Sequence, residues 1–109
     1  MNNKCYHNVN IDLLIEKVVN WHHARNLIEG SNDQAQFVKL IEECGELAGN
    51  LAKKRKAPIK DDIGDIIVVL INIAERNDLC LKECLDYAWN QIKDRKGKMI
   101  DGVFVKDEN

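Results

Sequence analysis

Five acidic residues in two short stretches define the chemistry open to this chain: Glu42, Glu43 and Glu46 in Leu40-Ile41-Glu42-Glu43-Cys44-Gly45-Glu46-Leu47, and Asp62 and Asp65 in Asp62-Ile63-Gly64-Asp65-Ile66. Successive helical residues turn by about 100°, so the three glutamates share one side while Phe37, Ile41, Cys44 and Ala48 form a stripe pointing the other way. Surface ion pairs with Lys39 and Lys53 are one use for such a face. The second stretch is different. Ile63, Ile66, Ile67, Val68, Val69, Leu70, Ile71 and Ile73 cover almost the whole circumference of a helix, which predicts burial on most sides. Asp65 and Asn72 lie on one polar stripe of that helix, with Asp62 one turn before Asp65, and buried carboxylates need a cation or a metal as partner. A lysine or arginine of another helix is the simpler partner for Asp65. Asp61, at the helix edge, reads as a capping acid. If the two helices run antiparallel, Glu43, Glu46, Asp62 and Asp65 converge, and four converging carboxylates repel one another without a cation. An all-oxygen donor set suits Mg²⁺, with Mn²⁺ as a substitute, and does not suit zinc. Such Mg²⁺ sites commonly complete themselves with substrate phosphates, which points to phosphate chemistry in a helical bundle.

The elements that must position these acids follow from the rest of the pattern. The chain has 109 residues, enough for one domain over residues 1–109 and a modest core. One proline and six glycines punctuate it sparsely, which argues for a few long helices. Asn10 caps a first helix running to about Glu29 and ending at Gly30. Ser31 with Gln34 forms a capping box for a second, which runs to the basic segment Lys53-Lys54-Arg55-Lys56. Pro58 closes the connection, and Asp61-Asp62 open a third helix whose apolar run ends at Ala74. After a break at Asn77-Asp78, Leu81, Cys84, Leu85, Ala88, Trp89 and Ile92 mark a fourth, stopping near Gly97 with Trp89 in the core. Met99 to Val105 reads as a short extended tail with an Asp-Gly turn. The expected fold class is all-α, a four-helix bundle with that tail. The apolar surface of the third helix is too wide for one short chain to cover, so the bundle is expected to assemble as a homo-oligomer.

Composition narrows the partners. Sixteen basic and eighteen acidic residues leave no general attraction for nucleic acid or anionic membrane. No secretory signal is visible at Met1 to Asn10, and the longest apolar stretch is too short to span a bilayer, so a cytoplasmic protein is expected. Cys5, Cys44, Cys80 and Cys84 form no C-x-x-C pair and read as reduced thiols.

With the paired acidic motifs in view, the segment from about Trp21 to Lys98 resembles the all-α nucleoside triphosphate pyrophosphohydrolases, and more narrowly the MazG-like group, whose E-E-x-x-E and E-x-x-D motifs occur in this order on two helices. The resemblance implies Mg²⁺ ligation by Glu43, Glu46, Asp62 and Asp65, with Glu42 as a further metal-site or water-orienting carboxylate. It implies hydrolysis of a (deoxy)nucleoside triphosphate between the α and β phosphates to a monophosphate and pyrophosphate, in nucleotide-pool sanitation or control. Glu46 or Glu42 would take the proton of the attacking water. Position 62 is Asp where the family pattern has Glu; the side chain is one methylene shorter, so this ligand binds through water or needs a closer helix approach. The family also assembles as dimers or dimers of dimers, so a homodimer or homotetramer is implied.

The remaining substrate needs cations and a flat apolar surface. Lys93 and Arg95, in a basic stretch like one that contacts phosphates in related enzymes, are the phosphate-binding candidates; Lys53 to Lys56 suit helix capping. Trp21, His22 and Arg25 lie close together on the first helix, where related enzymes hold the base, although Trp21 serves equally well as core. Asn72 bonds either a nucleoside or phosphate group or another helix. Two other classes compete: a non-catalytic helical oligomerisation or partner-binding module keeping a weak acidic metal site, and a nucleic-acid binder using the basic clusters, which the net acidity disfavours.

Overall fold

The computed structural model describes residues 8–108, in which four helices, α1 Ile11–Ala24, α2 Asp33–Ala52, α3 Ile59–Arg76 and α4 Leu81–Ile92, precede an antiparallel hairpin of β1 Gly97–Ile100 and β2 Val103–Lys106. Cys5 and most of the amino-terminal segment lie outside the described residues. The fold is mostly helical. No helix among the described residues is long and apolar enough to cross a membrane.

The helix starts follow side-chain chemistry. Asn10 Oδ1 accepts from the Leu13 amide at 3.1 Å, capping α1. On α2 the cap is Asn32, whose Oδ1 accepts from the Ala35 amide at 2.8 Å, and not Ser31. Ser31 Oγ instead accepts from Gln36 Nε2. Asn and Ser cap about equally well, so adjacent candidates leave the choice to the entry angle of the chain.

Periodicity misleads at the first and fourth stops, while the second and third helices end where expected, at the basic segment and at Asn77-Asp78. The first helix ends at Ala24, five residues before Glu29, because Asn26 takes a left-handed conformation at φ 57°. The Leu27 amide then bonds the His22 carbonyl and the Asn26 amide the His23 carbonyl, a Schellman closure. Lys54, at φ 56°, closes α2 in the same way, with Arg55 and Lys54 amides bonding the Asn50 and Leu51 carbonyls. Asp78, at φ 58°, closes α3, with Leu79 and Asp78 amides on Ala74 and Glu75. None of the three is glycine, the usual marker. The fourth helix ends at Ile92 rather than near Gly97.

Packing is dominated by α2 against α3, with α1 on the other side of α3 and α4 only lightly attached. Gln36, Leu40, Glu43, Leu47 and Asn50 form the covered face of α2, while Phe37, Ile41 and Leu51 are exposed. The buried apolar core is small: Ile28, Val69, Ile71 and Ala74. The expected burial of the third helix is therefore partial, since Ile63 and Ile67 remain exposed, and Trp89 is exposed rather than core. Polar clamps supplement this core. Arg76 donates to the carbonyls of Ile28 and Ser31 and pairs with Asp33, fixing the α1–α2 connection to the end of α3. Lys82 bonds Asp12 and ties α4 to α1.

A lysine in the left-handed region carries a steric cost of roughly 1–2 kcal/mol that glycine avoids. Lys54→Gly should therefore raise stability by about 1 kcal/mol, measured by denaturant midpoint, while an exposed control such as Lys56→Gly should not.

Candidate functional site

The acids sit where α2 and α3 meet. Glu43 and Asp62 are buried, Asp65 is half-buried, and Glu42 and Glu46 are exposed. The acidic side of α2 thus turns towards α3 through Glu43, and the apolar stripe that opposes it faces outward. Glu43 Oε1 lies 3.2 Å from Lys39 Nζ, whereas Oε2 is buried with no hydrogen-bond partner. Lys39 also reaches Glu42 at 3.9 Å. The hydrogen bond and charge of Glu43 hold the Lys39 ammonium above its ordinary value. Asp62 Oδ2 accepts from Asn50 Nδ2 at 2.7 Å, so the shorter acid at this position is reached by an amide from α2. Asn50 stands one turn past Glu46 on the covered face; that phase is the signal in the sequence that could have singled it out.

Desolvation pushes the Asp65 carboxyl above the ordinary carboxylate value, and the nearby charges of Asp61, Glu43 and Asp62 push it further. Asp61 therefore belongs to the electrostatics of the cluster as well as to the helix start. Among the described residues no three His, Cys, Asp or Glu side chains close on one point. The expected convergence is that of a charge cluster, not of a formed coordination shell, because Glu43 turns to Lys39 and Asp62 to Asn50. The residues nonetheless fit a divalent cation: the donors are hard oxygens, one buried carboxylate oxygen is orphaned, and the excess negative charge has only Lys39 among it.

The nucleoside candidates divide. His22 and Asn72 are buried, and the His22 ring and Asn72 Nδ2 are spent on the fold, whereas Asn72 Oδ1 is buried with no hydrogen-bond partner. His22 Nε2 lies 3.0 Å from the Val68 carbonyl, to which it must donate, which leaves Nδ1 to accept from Asn72 Nδ2 at 3.3 Å. Asn72 Nδ2 also donates to the Leu27 carbonyl at 2.9 Å. Trp21 and Arg25 are exposed, with the guanidinium 4.3 Å from the indole centroid and the His22 ring edge-on at 5.2 Å. Buried His22 and Asn72 thus set the pose of an exposed aromatic surface. Lys93 caps α4, and Arg95 lines a cleft with Gln91, Asp94, Lys96, Lys106 and Asp107, without any acid of α2 or α3. One chain does not bring Arg95 to the carboxylate cluster.

Residues 32–100 match the family model of the MazG nucleotide pyrophosphohydrolase domain. The chain belongs to this family. The matched region begins at the cap of α2 and ends with β1, so it holds every carboxylate of the cluster and leaves Trp21, His22 and Arg25 outside. A relative from Haemophilus phage HP1 (strain HP1c1), an uncharacterized 18.2 kDa protein in the rep-hol intergenic region, is 46% identical over 66 residues, or 61% of this chain. The match spans 40% of that relative's length. No solved structure matches the chain. This MazG domain therefore has its acids on two adjoining helices, with Lys39 and Asn50 as protein partners of Glu43 and Asp62.

Two outcomes follow. A carboxyl raised in the folded state contributes stability that is fully present below its unfolded value, ordinarily 3.8, and lost as pH rises through the folded value. In chelator, the stability of wild type minus that of Asp65→Asn should fall as pH rises above about 3.8 towards neutrality, and millimolar Mg²⁺ should reverse the fall at neutral pH; a flat difference removes the repulsion. Separately, Asn72→Ala should cost about 2–4 kcal/mol in chemical denaturation, because it opens a buried cavity and unpairs His22 and the Leu27 carbonyl.

Proposed function

We propose that this MazG domain hydrolyses a (deoxy)nucleoside triphosphate between the α and β phosphates, giving a nucleoside monophosphate and pyrophosphate. The observation that carries the reading is the incompletely compensated carboxylate cluster of buried Glu43 and Asp62 and half-buried Asp65, on two helices inside the region that matches the family. Glu43, Glu46, Asp62 and Asp65 would hold Mg²⁺, or Mn²⁺ in its place. When bound, the ion supplies charge neutralisation for the phosphate oxygens and acidifies water.

The chain's own residues do the rest. One of the exposed glutamates on the open side of α2, Glu46 or Glu42, accepts the proton as the water oxygen bonds to phosphorus and the bond to the bridging oxygen breaks. Asn50 positions Asp62, and Lys39 holds Glu43 until a stronger cation replaces it. Trp21 offers the base a stacking surface, with Arg25 beside it for oxygen acceptors. Lys93 and Arg95 meet the phosphates from a neighbouring copy, since the cleft that Arg95 lines contains none of the acids of α2 or α3. The functional unit is accordingly a homodimer or homotetramer, one domain per chain. A nucleotide substrate and the free thiols among the described residues, Cys44, Cys80 and Cys84, suit a cytoplasmic setting in nucleotide-pool sanitation or control.

The test is pyrophosphate release from a panel of nucleoside triphosphates with Mg²⁺. At least one should be cleaved, and Asp65→Ala and Glu43→Gln should each lower the rate by about 100-fold or more. Absence of pyrophosphate from the whole panel, or full activity in Asp65→Ala, defeats the reading and leaves an assembly module with an acidic patch.

A further inference from the structure

The carboxy-terminal hairpin is not accounted for by hydrolysis. Its register puts Lys98, Ile100, Val103 and Val105 on one face and Gly97, Met99, Phe104 and Lys106 on the other. A strand with one wet face alternates apolar and polar residues; this hairpin is apolar on both faces. Its second face is partly self-covered, because the Phe104 ring lies over Gly97, where an added Cβ would come within 2.7 Å of it. The aliphatic face lies open over its three apolar residues, with Val103 63%, Ile100 45% and Val105 43% exposed. None of the four helices packs along the hairpin, which meets its own chain at its base. A lone two-stranded hairpin is marginal in water.

The same chain has an apolar groove of about 1020 Å³ between α1, α3 and α4, walled by Leu14, Val18, Ile67, Ile71, Leu85 and Trp89. Four-residue strands are roughly 13 Å long, and the 12-residue α4 beside the groove is roughly 18 Å. Size therefore permits the hairpin to lie along it. Charge favours it too. Glu83 and Asp86 at the groove edge have no ion-pair partner among the described residues, and the aliphatic face of the hairpin carries Lys98. The surface left open demands a partner. The chain exposes 9021 Å², whereas a compact monomer of its mass exposes about 6,200 Å². That excess is ample for a stable dimer, which covers about 800 Å² on each partner.

We propose that the hairpin is an exchanged arm: its Ile100–Val103–Val105 face seats in the α1–α3–α4 groove of a second copy, and that copy's arm seats in return. The arrangement is isologous and closes at two chains. It rests on the self-association in the reading above, and is independent of the chemistry.

Light scattering on the full chain across concentration tests it. Wild type should run as a dimer or a multiple of dimers. Val103→Asp, which breaks the arm, and Leu85→Asp, which blocks the groove, should each weaken association by about 100-fold or more while circular dichroism keeps the helices. Mixing the two variants should restore heterodimers, because one intact arm then meets one intact groove. Lys98→Glu, which leaves the apolar faces alone, should weaken association about tenfold at low salt. An unchanged mass for Val103→Asp overturns the arm while leaving self-association in place. A monomeric wild type overturns both. Failure of the mixture to form heterodimers overturns the pairing of arm with groove.

Discussion

Burying carboxylates between two helices is the constraint on which the rest of this structure depends. Glu43 and Asp62 occupy the main helix–helix interface, a place where ionised groups are costly unless compensated. Compensation from within the chain is incomplete. Lys39 and Asn50 each satisfy one carboxylate oxygen, one oxygen of Glu43 has no partner, and Asp65 is left under repulsion. An arrangement so poor as a stabilising device makes sense as a receptor for a cation, because the energy that the fold forgoes is available to whatever neutralises the cluster.

That choice propagates through the fold. An α2 that turns its acidic side to α3 cannot also bury its apolar stripe there, so Phe37, Ile41 and Leu51 face outward. The covered face keeps only Leu40 and Leu47 as large apolar contacts, and the core shrinks to a few residues on α3 and the loop before α2. Polar interactions then do work that packing performs elsewhere. The His22–Asn72–Leu27 chain fixes α1 to α3, and Arg76 fixes the following loop through two carbonyls and Asp33. Both networks depend on desolvated geometry, so they hold the elements in one register more than they add stability.

Helical periodicity made four helices, their order and the acidic residues legible, since the 3.6-residue repeat and the paired motifs are local properties. It identified which residues of α2 share a face, but not which face turns inward, and the inward face turned out to be the one holding Glu43. The stop of α1 was misread at Asn26, which adopts the conformation expected of glycine, because a left-handed residue is selected by the hydrogen bonds it closes; α2 and α3, closed in the same way by Lys54 and Asp78, end where expected. The structural part that His22 and Asn72 play was hidden for a related reason: the groups they bond, the Val68 and Leu27 carbonyls, are main-chain atoms that no side-chain pattern reveals. Asn50 was overlooked because its role depends on the distance between two helices.

The glycines bear on how the two halves of the molecule, acids and apolar surface, are related. Gly45, Gly49 and Gly64 lie in helix interiors, where each costs about 1 kcal/mol relative to alanine. Close packing inside the chain does not require them, since an added Cβ at any of the three meets nothing within 4 Å. Their φ angles are ordinary, so backbone strain does not require them either. Gly64 stands beside Asp65 and is part of the floor of the α1–α3–α4 groove; a side chain there would make that groove shallower on the turn that carries the acids. The arm exchange proposed above would account for a glycine here, because a partner seated in the groove would fill the space that a side chain would otherwise take. The turn of α3 that presents Asp65 to one side therefore presents open space to the other, and a partner filling that space would stiffen the helix on which the carboxylate cluster depends.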